Sequence, residues 1–60
     1  MKLLDLIRVM ELETKIHVDY ENKEVYDGVV KDIDLLLQKL NSTIKCVWYS
    51  TLYNAIWIDI

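Results

Sequence analysis

The sequence predicts a small two-layer α+β domain. Its sheet has four strands, mainly antiparallel, with two short helices on one face, in the order helix, strand, strand, helix, strand, strand. Three observations predict it. Apolar residues recur at helical spacing near the N-terminus. Strict two-residue alternation runs through Lys15 to Tyr20 and again through Ala55 to Ile60. A leucine cluster follows an acidic stretch between these segments.

Leu3, Leu4, Ile7 and Met10, with Leu6 beside them, fall at the i, i+3, i+4, i+7 spacing of one helix face; Lys2, Asp5, Arg8 and Glu11 take the other. The helix is expected over about residues 2–11, with Leu12 closing it against the core. Ile16, Val18 and Tyr20 alternate with Lys15, His17 and Asp19, the pattern of a half-buried strand. The polar stretch Glu21-Asn22-Lys23-Glu24 is the turn, and the β-branched stretch from Val25 to Lys31 is the returning strand. Its parity has two solutions: Tyr26, Gly28 and Val30 inward, or Val25, Asp27 and Val29 inward. The first is preferred because the second buries Asp27. Gly28 within the strand points to a bulge or a close approach of another element.

Asp32-Ile33-Asp34 supplies acidic caps for a second helix of about two turns, carrying Leu35, Leu36, Leu37 and Leu40 inward and Gln38 and Lys39 outward; Asn41 and Ser42 end it. Ile44 to Ser50 reads as a third strand. Cys46 and Trp48 lie on one face of it, Val47 and Tyr49 on the other. A loop over residues 50–54 leads to the fourth strand, where Ile56, Ile58 and Ile60 oppose Ala55, Trp57 and Asp59. The last two strands form an antiparallel hairpin.

Sixty residues make one domain, 1–60, and bury only roughly 60% of the unfolded surface. Yet 53% of the residues are hydrophobic, which argues against disorder. A single Cys excludes an internal disulfide, and the clustered Cys or His ligands of a structural zinc site are absent. The two usual staples of a mini-protein are therefore missing. No apolar run approaches the ~18 residues of a bilayer span. Asp5, Arg8, Glu11 and Glu13 interrupt the N-terminal segment as a signal sequence. A lone Cys46 suits a reducing compartment, so a cytoplasmic, non-membrane protein is expected. The net charge of −3 and a pI near 4.8 argue against nucleic acid as a partner.

Sites of chemistry are sparse. His17, Asp19 and Glu21 share a strand face, with Asp27 nearby on the paired strand. Histidine with carboxylates is the raw material of a metal site or of acid–base work. A single histidine with no second nitrogen or thiolate ligand reads more simply as part of a solvated face. Cys46 lacks an activating partner other than His17 and reads as a small buried apolar residue. Ser42-Thr43 and Ser50-Thr51 are turn and cap residues, because one glycine cannot build a nucleophile elbow or a phosphate-binding loop. No catalytic residue, cofactor or metal is expected, and the chain is read as a non-enzyme.

The informative cluster is Trp48, Tyr49, Tyr53 and Trp57. A hairpin carrying these residues is apolar on both faces, and only one face can pack beneath helices. Tryptophan and tyrosine are favoured anchors of protein contacts. Trp57-Ile58-Asp59-Ile60 adds an apolar strand expected at a sheet edge, where pairing between two copies removes the liability.

The segments Leu3-Leu4-Asp5-Leu6-Ile7, Thr14-Lys15-Ile16-His17-Val18 and Tyr26-Asp27-Gly28-Val29-Val30-Lys31-Asp32 resemble short uncharacterised proteins encoded by phages and prophages of Gram-positive bacteria. In those, too, a short helix and a strand lead to a Y-x-G-x-V-x-D-like segment. The resemblance covers most of the chain and carries no catalytic motif. It implies a host cytoplasm and an accessory role, and supplies no functional residues.

The reading is a protein–protein interaction module that forms a dimer or higher homo-oligomer through Trp48, Tyr49, Tyr53 and Trp57, or meets another protein there. The alternative is an acidic inhibitor or decoy that engages a basic protein through Asp19, Glu21, Glu24, Asp27, Asp32 and Asp34.

Overall fold

A computed structural model of the chain describes residues 1–34 and 38–60. Helix α1 spans Leu3–Val9; strands β1 to β4 span Lys15–Tyr20, Lys23–Val29, Cys46–Ser50 and Ala55–Asp59. The four strands form one mixed sheet in the order β2-β1-β4-β3. Two antiparallel hairpins, β1–β2 and β3–β4, are joined down the middle by a parallel β1–β4 pair.

Helix α1 is shorter than the periodicity suggests. Before it, Lys2 is extended and its backbone N–H donates to the Asp5 carboxylate at 3.2 Å, satisfying one of the donors left free at a helix start. After Val9 the chain turns extended at Met10. Met10 still packs against the core, but Leu12, expected to close the helix, is 65% exposed. Leu12 contributes its carbonyl instead, which accepts the Lys31 N–H at 3.0 Å, while the Thr14 carbonyl accepts that of Val30 at 2.9 Å. These bonds tie the end of the first hairpin to the helix exit.

The first hairpin turns on Glu21 and Asn22, both with positive φ (50° and 67°). A two-residue turn of that kind matches the twist of the paired strands. Strand β2 therefore begins at Lys23, earlier than the run of β-branched residues suggests. Val18 opposes Tyr26 but Asp19 opposes Glu24, so Val25 is an extra residue bulged out of register. Tyr26 and Gly28 face the same side as Val18 and Ile16, as the preferred parity requires. The bulge lets Val25 pack on the core as well, and carries Glu24 to the opposite face. The atoms nearest the space a Cβ would take at Gly28 are those of the Tyr26 ring, which folds over it and donates its hydroxyl to the Val29 carbonyl at 2.6 Å.

The second helix does not take its expected form in the described residues. Val30–Asp32 and Gln38–Asn41 are short 3-10 turns, and the Leu35-Leu36-Leu37 centre of the expected helix lies outside the described residues. Val30, Ile33 and Leu40 from this connection join Leu3, Ile7, Ile16, Val18, Ile58 and Ile60 in one buried cluster. One helix and these turns thus cover a single face of the sheet. Ile16, Val18 and Ile58 on the two central strands are completely buried.

The last strand is central, not at the edge as its sequence suggested. Strand β4 lies between β1 and β3, and β3 forms the edge. The reason is apolar content on the core face: Ile56 and Ile58 match Ile16 and Val18 across the parallel pair, which suits a strand flanked on both sides.

Candidate interaction surface

The face away from α1 carries a row of rings. The pairing places His17 beside Trp57, and Trp57 beside Trp48, on β1, β4 and β3 in turn. The His17 and Trp57 rings stack at 3.8 Å between centroids, inclined by 28°; Trp57 and Trp48 stack at 5.1 Å and 22°. Tyr53, from the turn between β3 and β4, leans on Trp57 at 5.6 Å. Separations of this order are those of favourable offset aromatic pairs. The row runs from the half-buried His17 to Trp48, which is 45% exposed at the sheet edge.

The structure thus brings three of the four predicted contact residues, Trp48, Tyr53 and Trp57, onto one surface. Tyr49 lies on the other face of β3, beside Ile56, and its hydroxyl donates to the Asn54 side chain. That face is open at the edge too: Val47 is 47% and Tyr49 53% exposed. Cys46, expected to be buried, is exposed, because the strand that carries it is the edge of the sheet.

Backbone polarity sharpens the picture of this edge. The Ile60 N–H donates to the Asp19 carbonyl at 2.9 Å, so even-numbered residues of the last strand direct their backbone groups toward β1. Ala55, Trp57 and Asp59 consequently bond toward β3, and their partners there are Ser50, Trp48 and Cys46. The N–H and C=O groups of Val47 and Tyr49 point away from the sheet. No charged side chain stands between Cys46 and Tyr53. The opposite edge is different. Strand β2 carries Lys23, Glu24 and Asp27 and is broken by the Val25 bulge. Charge and bulging are the devices that keep edges from pairing, and β3 has neither along its length.

At the other end of the ring row, three carboxylates gather around His17. Its Nε2 lies 2.8 Å from an Asp19 oxygen, and its Nδ1 is 3.8 Å from Glu24 and 4.0 Å from Asp27. If Nε2–H donates to Asp19, Nδ1 offers a lone pair beside Glu24 and Asp27. His17, Glu24 and Asp27 could then reach one divalent cation, with Asp19 orienting the imidazole. The set has one nitrogen and two well-exposed carboxylates, fewer ligands than a closed structural zinc site has. The cleft here, lined also by Lys15, Tyr53 and Trp57, holds about 250 Å³. That falls below the ~300–1,000 Å³ of most small-molecule sites. Trp57 Nε1 is buried without an acceptor among the described residues.

Of the expected acidic surface, Asp19, Glu24 and Asp27 converge on His17, whereas Glu21 sits exposed in the hairpin turn and Asp32 and Asp34 are exposed on the chain beyond β2. Sequence reasoning named Glu24 and His17 but did not foresee where they come to lie. Glu24 reaches this face only because of the bulge. His17 joins the rings only because β1 and β4 are neighbours. The alternation placing His17 opposite Ile16 and Val18 was the available signal for its face, but gave no indication of the parallel pairing. No protein-family model, no curated protein and no solved structure matches this chain.

Proposed function

We propose that the chain is a non-enzymatic interaction module that self-associates through its C-terminal hairpin. One observation carries the reading: one sheet edge is charged and bulged, while the other, β3, is uncharged from Cys46 to Tyr53 with Val47, Trp48 and Tyr49 about half exposed. An undefended edge invites a partner strand, and Trp48 on its open face extends into a ring stack that a partner can continue. The resemblance to phage and prophage proteins fits an accessory protein of this kind.

Light scattering on the native chain and on Tyr49→Lys tests it. The substitution puts a charge at the middle of the edge on a side chain that is already 53% exposed, so the monomer fold tolerates it. The native chain is expected to associate reversibly with concentration, and the variant to remain at the mass of one chain with an unchanged circular dichroism spectrum. A native chain of single mass at high concentration, or an equally associated variant, overturns the reading.

A further inference from the structure

We infer that the partner at this edge is a second copy of the chain, paired antiparallel along β3 with Trp48 on the two-fold axis; this rests on the self-association proposed above. The register follows from the backbone. In a two-fold pairing about an axis perpendicular to the sheet, residues that face each other are on the same face, so their numbers have the same parity. Hydrogen bonds form only between residues whose backbone groups point outward, here Val47 and Tyr49. A two-fold axis through Trp48 sets Val47 of one copy against Tyr49 of the other, twice, and uses all four outward N–H groups and all four outward C=O groups. Shifting the axis to Val47 requires Lys45, whose N–H is already given to the Asp59 carbonyl at 2.8 Å. Shifting it to Tyr49 requires Thr51, which belongs to the turn after β3.

The side chains fit the same register. The smaller Val47 meets the larger Tyr49, Cys46 meets Ser50, and Lys45 meets Thr51, so no like charges oppose each other. The two Trp48 residues form a non-hydrogen-bonded pair, the closer of the two kinds in an antiparallel sheet. Their rings link the two His17–Trp57–Trp48 stacks into one row across an eight-stranded sheet. The His17 clusters then lie at the far ends of that row, free of the interface.

Disulfide trapping reads the register directly. Non-hydrogen-bonded pairs bring Cα atoms to roughly 4.5 Å, within the range a disulfide spans. In the inferred register Cys46 faces Ser50 of the second copy, whereas the two Cys46 residues are four positions apart along the strand, roughly 14 Å at strand rise. Under mild oxidation the Ser50→Cys chain, which keeps Trp48 and the native Cys46, should become mostly linked dimer. The native chain and the double variant Cys46→Ser, Ser50→Cys should not. Ser50 is buried and its Oγ accepts the Tyr53 N–H. If that substitution unfolds the chain, the double variant Trp48→Cys, Cys46→Ser serves instead and should also link. Linking of the native chain, or of the Cys46→Ser, Ser50→Cys variant, with association intact overturns the register while leaving self-association standing. Association without linking in any folded variant likewise overturns the register with Trp48 on the axis. A native chain that never associates overturns the reading beneath both.

Discussion

Replacing Ile58 with alanine tests whether β4 is the centre of the sheet. Ile58 is completely buried, opposite Val18 on one side and Val47 on the other. An Ile→Ala change at such a site costs about 2–5 kcal/mol, the removed apolar surface plus the cavity left behind. At about 0.05–0.15 kcal/mol per residue, a chain of 60 residues has about 3–9 kcal/mol in total. The variant therefore loses a large share of its stability and is partly unfolded at 37 °C if the native value lies at the low end. Val47→Ala removes apolar surface from the same face one strand away, but Val47 is 47% exposed. At ~25 cal/mol per Å² for the area withdrawn from water, its cost stays below about 1 kcal/mol in the monomer. Urea unfolding followed by circular dichroism at low protein concentration measures both, with equal slopes expected. Ile58→Ala costing no more than Val47→Ala is the contrary result. That result would mean that β4 is not flanked by two strands.

Further outcomes follow from other contacts. The stacked Trp48 and Trp57 rings should give an exciton couplet in the far-ultraviolet circular dichroism, and Trp48→Phe should abolish it without loss of helix or sheet signal. Burial first, then the neighbouring Asp32 and Asp27 charges, hold the Tyr26 phenol above its ordinary pKa. Its neutral form is thus favoured by folding: this contribution is complete below about pH 10 and is lost as pH rises through the folded value. Tyr26→Phe should cost about 1 kcal/mol at neutral pH through the lost bond to the Val29 carbonyl, and its alkaline loss of stability should be shallower than that of the native chain. The exposed Lys31–Glu13 pair, 2.8 Å apart, should matter little, so Glu13→Gln is expected within about 0.5 kcal/mol of native by the same urea titration. Association through an uncharged edge should persist from low to high salt, whereas capture of a basic partner by the acidic residues would weaken steeply.

How far the sequence carried depends on whether a residue's environment is local. Strand β1 was legible to the residue because Ile16, Val18 and Tyr20 alternate with polar neighbours, and Ile16 and Val18 on that face are buried while Tyr20 is half-buried. The ring cluster was legible as residue density: Trp48, Tyr53 and Trp57 converge as the hairpin period requires. The strand order was not legible, because alternation assigns faces and leaves neighbours open. The apolar segment at Trp57–Ile60 read as an edge, yet its Ile58 lies in the middle of the sheet beside Val18. Cys46 was misplaced for the same reason, since free cysteine is usually buried and only the strand order puts this one at a rim. The bulge at Val25 shows a third limit. It reverses the parity of everything before it on β2, so Glu24 arrives beside His17 with no periodic signal to announce it.

Amide hydrogen exchange at Val47 and Tyr49 decides whether β3 takes a second copy, because these N–H groups have no partner strand among the described residues and gain one through edge pairing. Fast exchange is expected at both positions in dilute solution, with protection that rises with protein concentration, while the Trp48 amide, bonded within the hairpin, is protected throughout. Fast exchange at Val47 and Tyr49 at every concentration, with Trp48 protected, would show a folded chain whose β3 edge takes no second copy, and would overturn the proposed self-association.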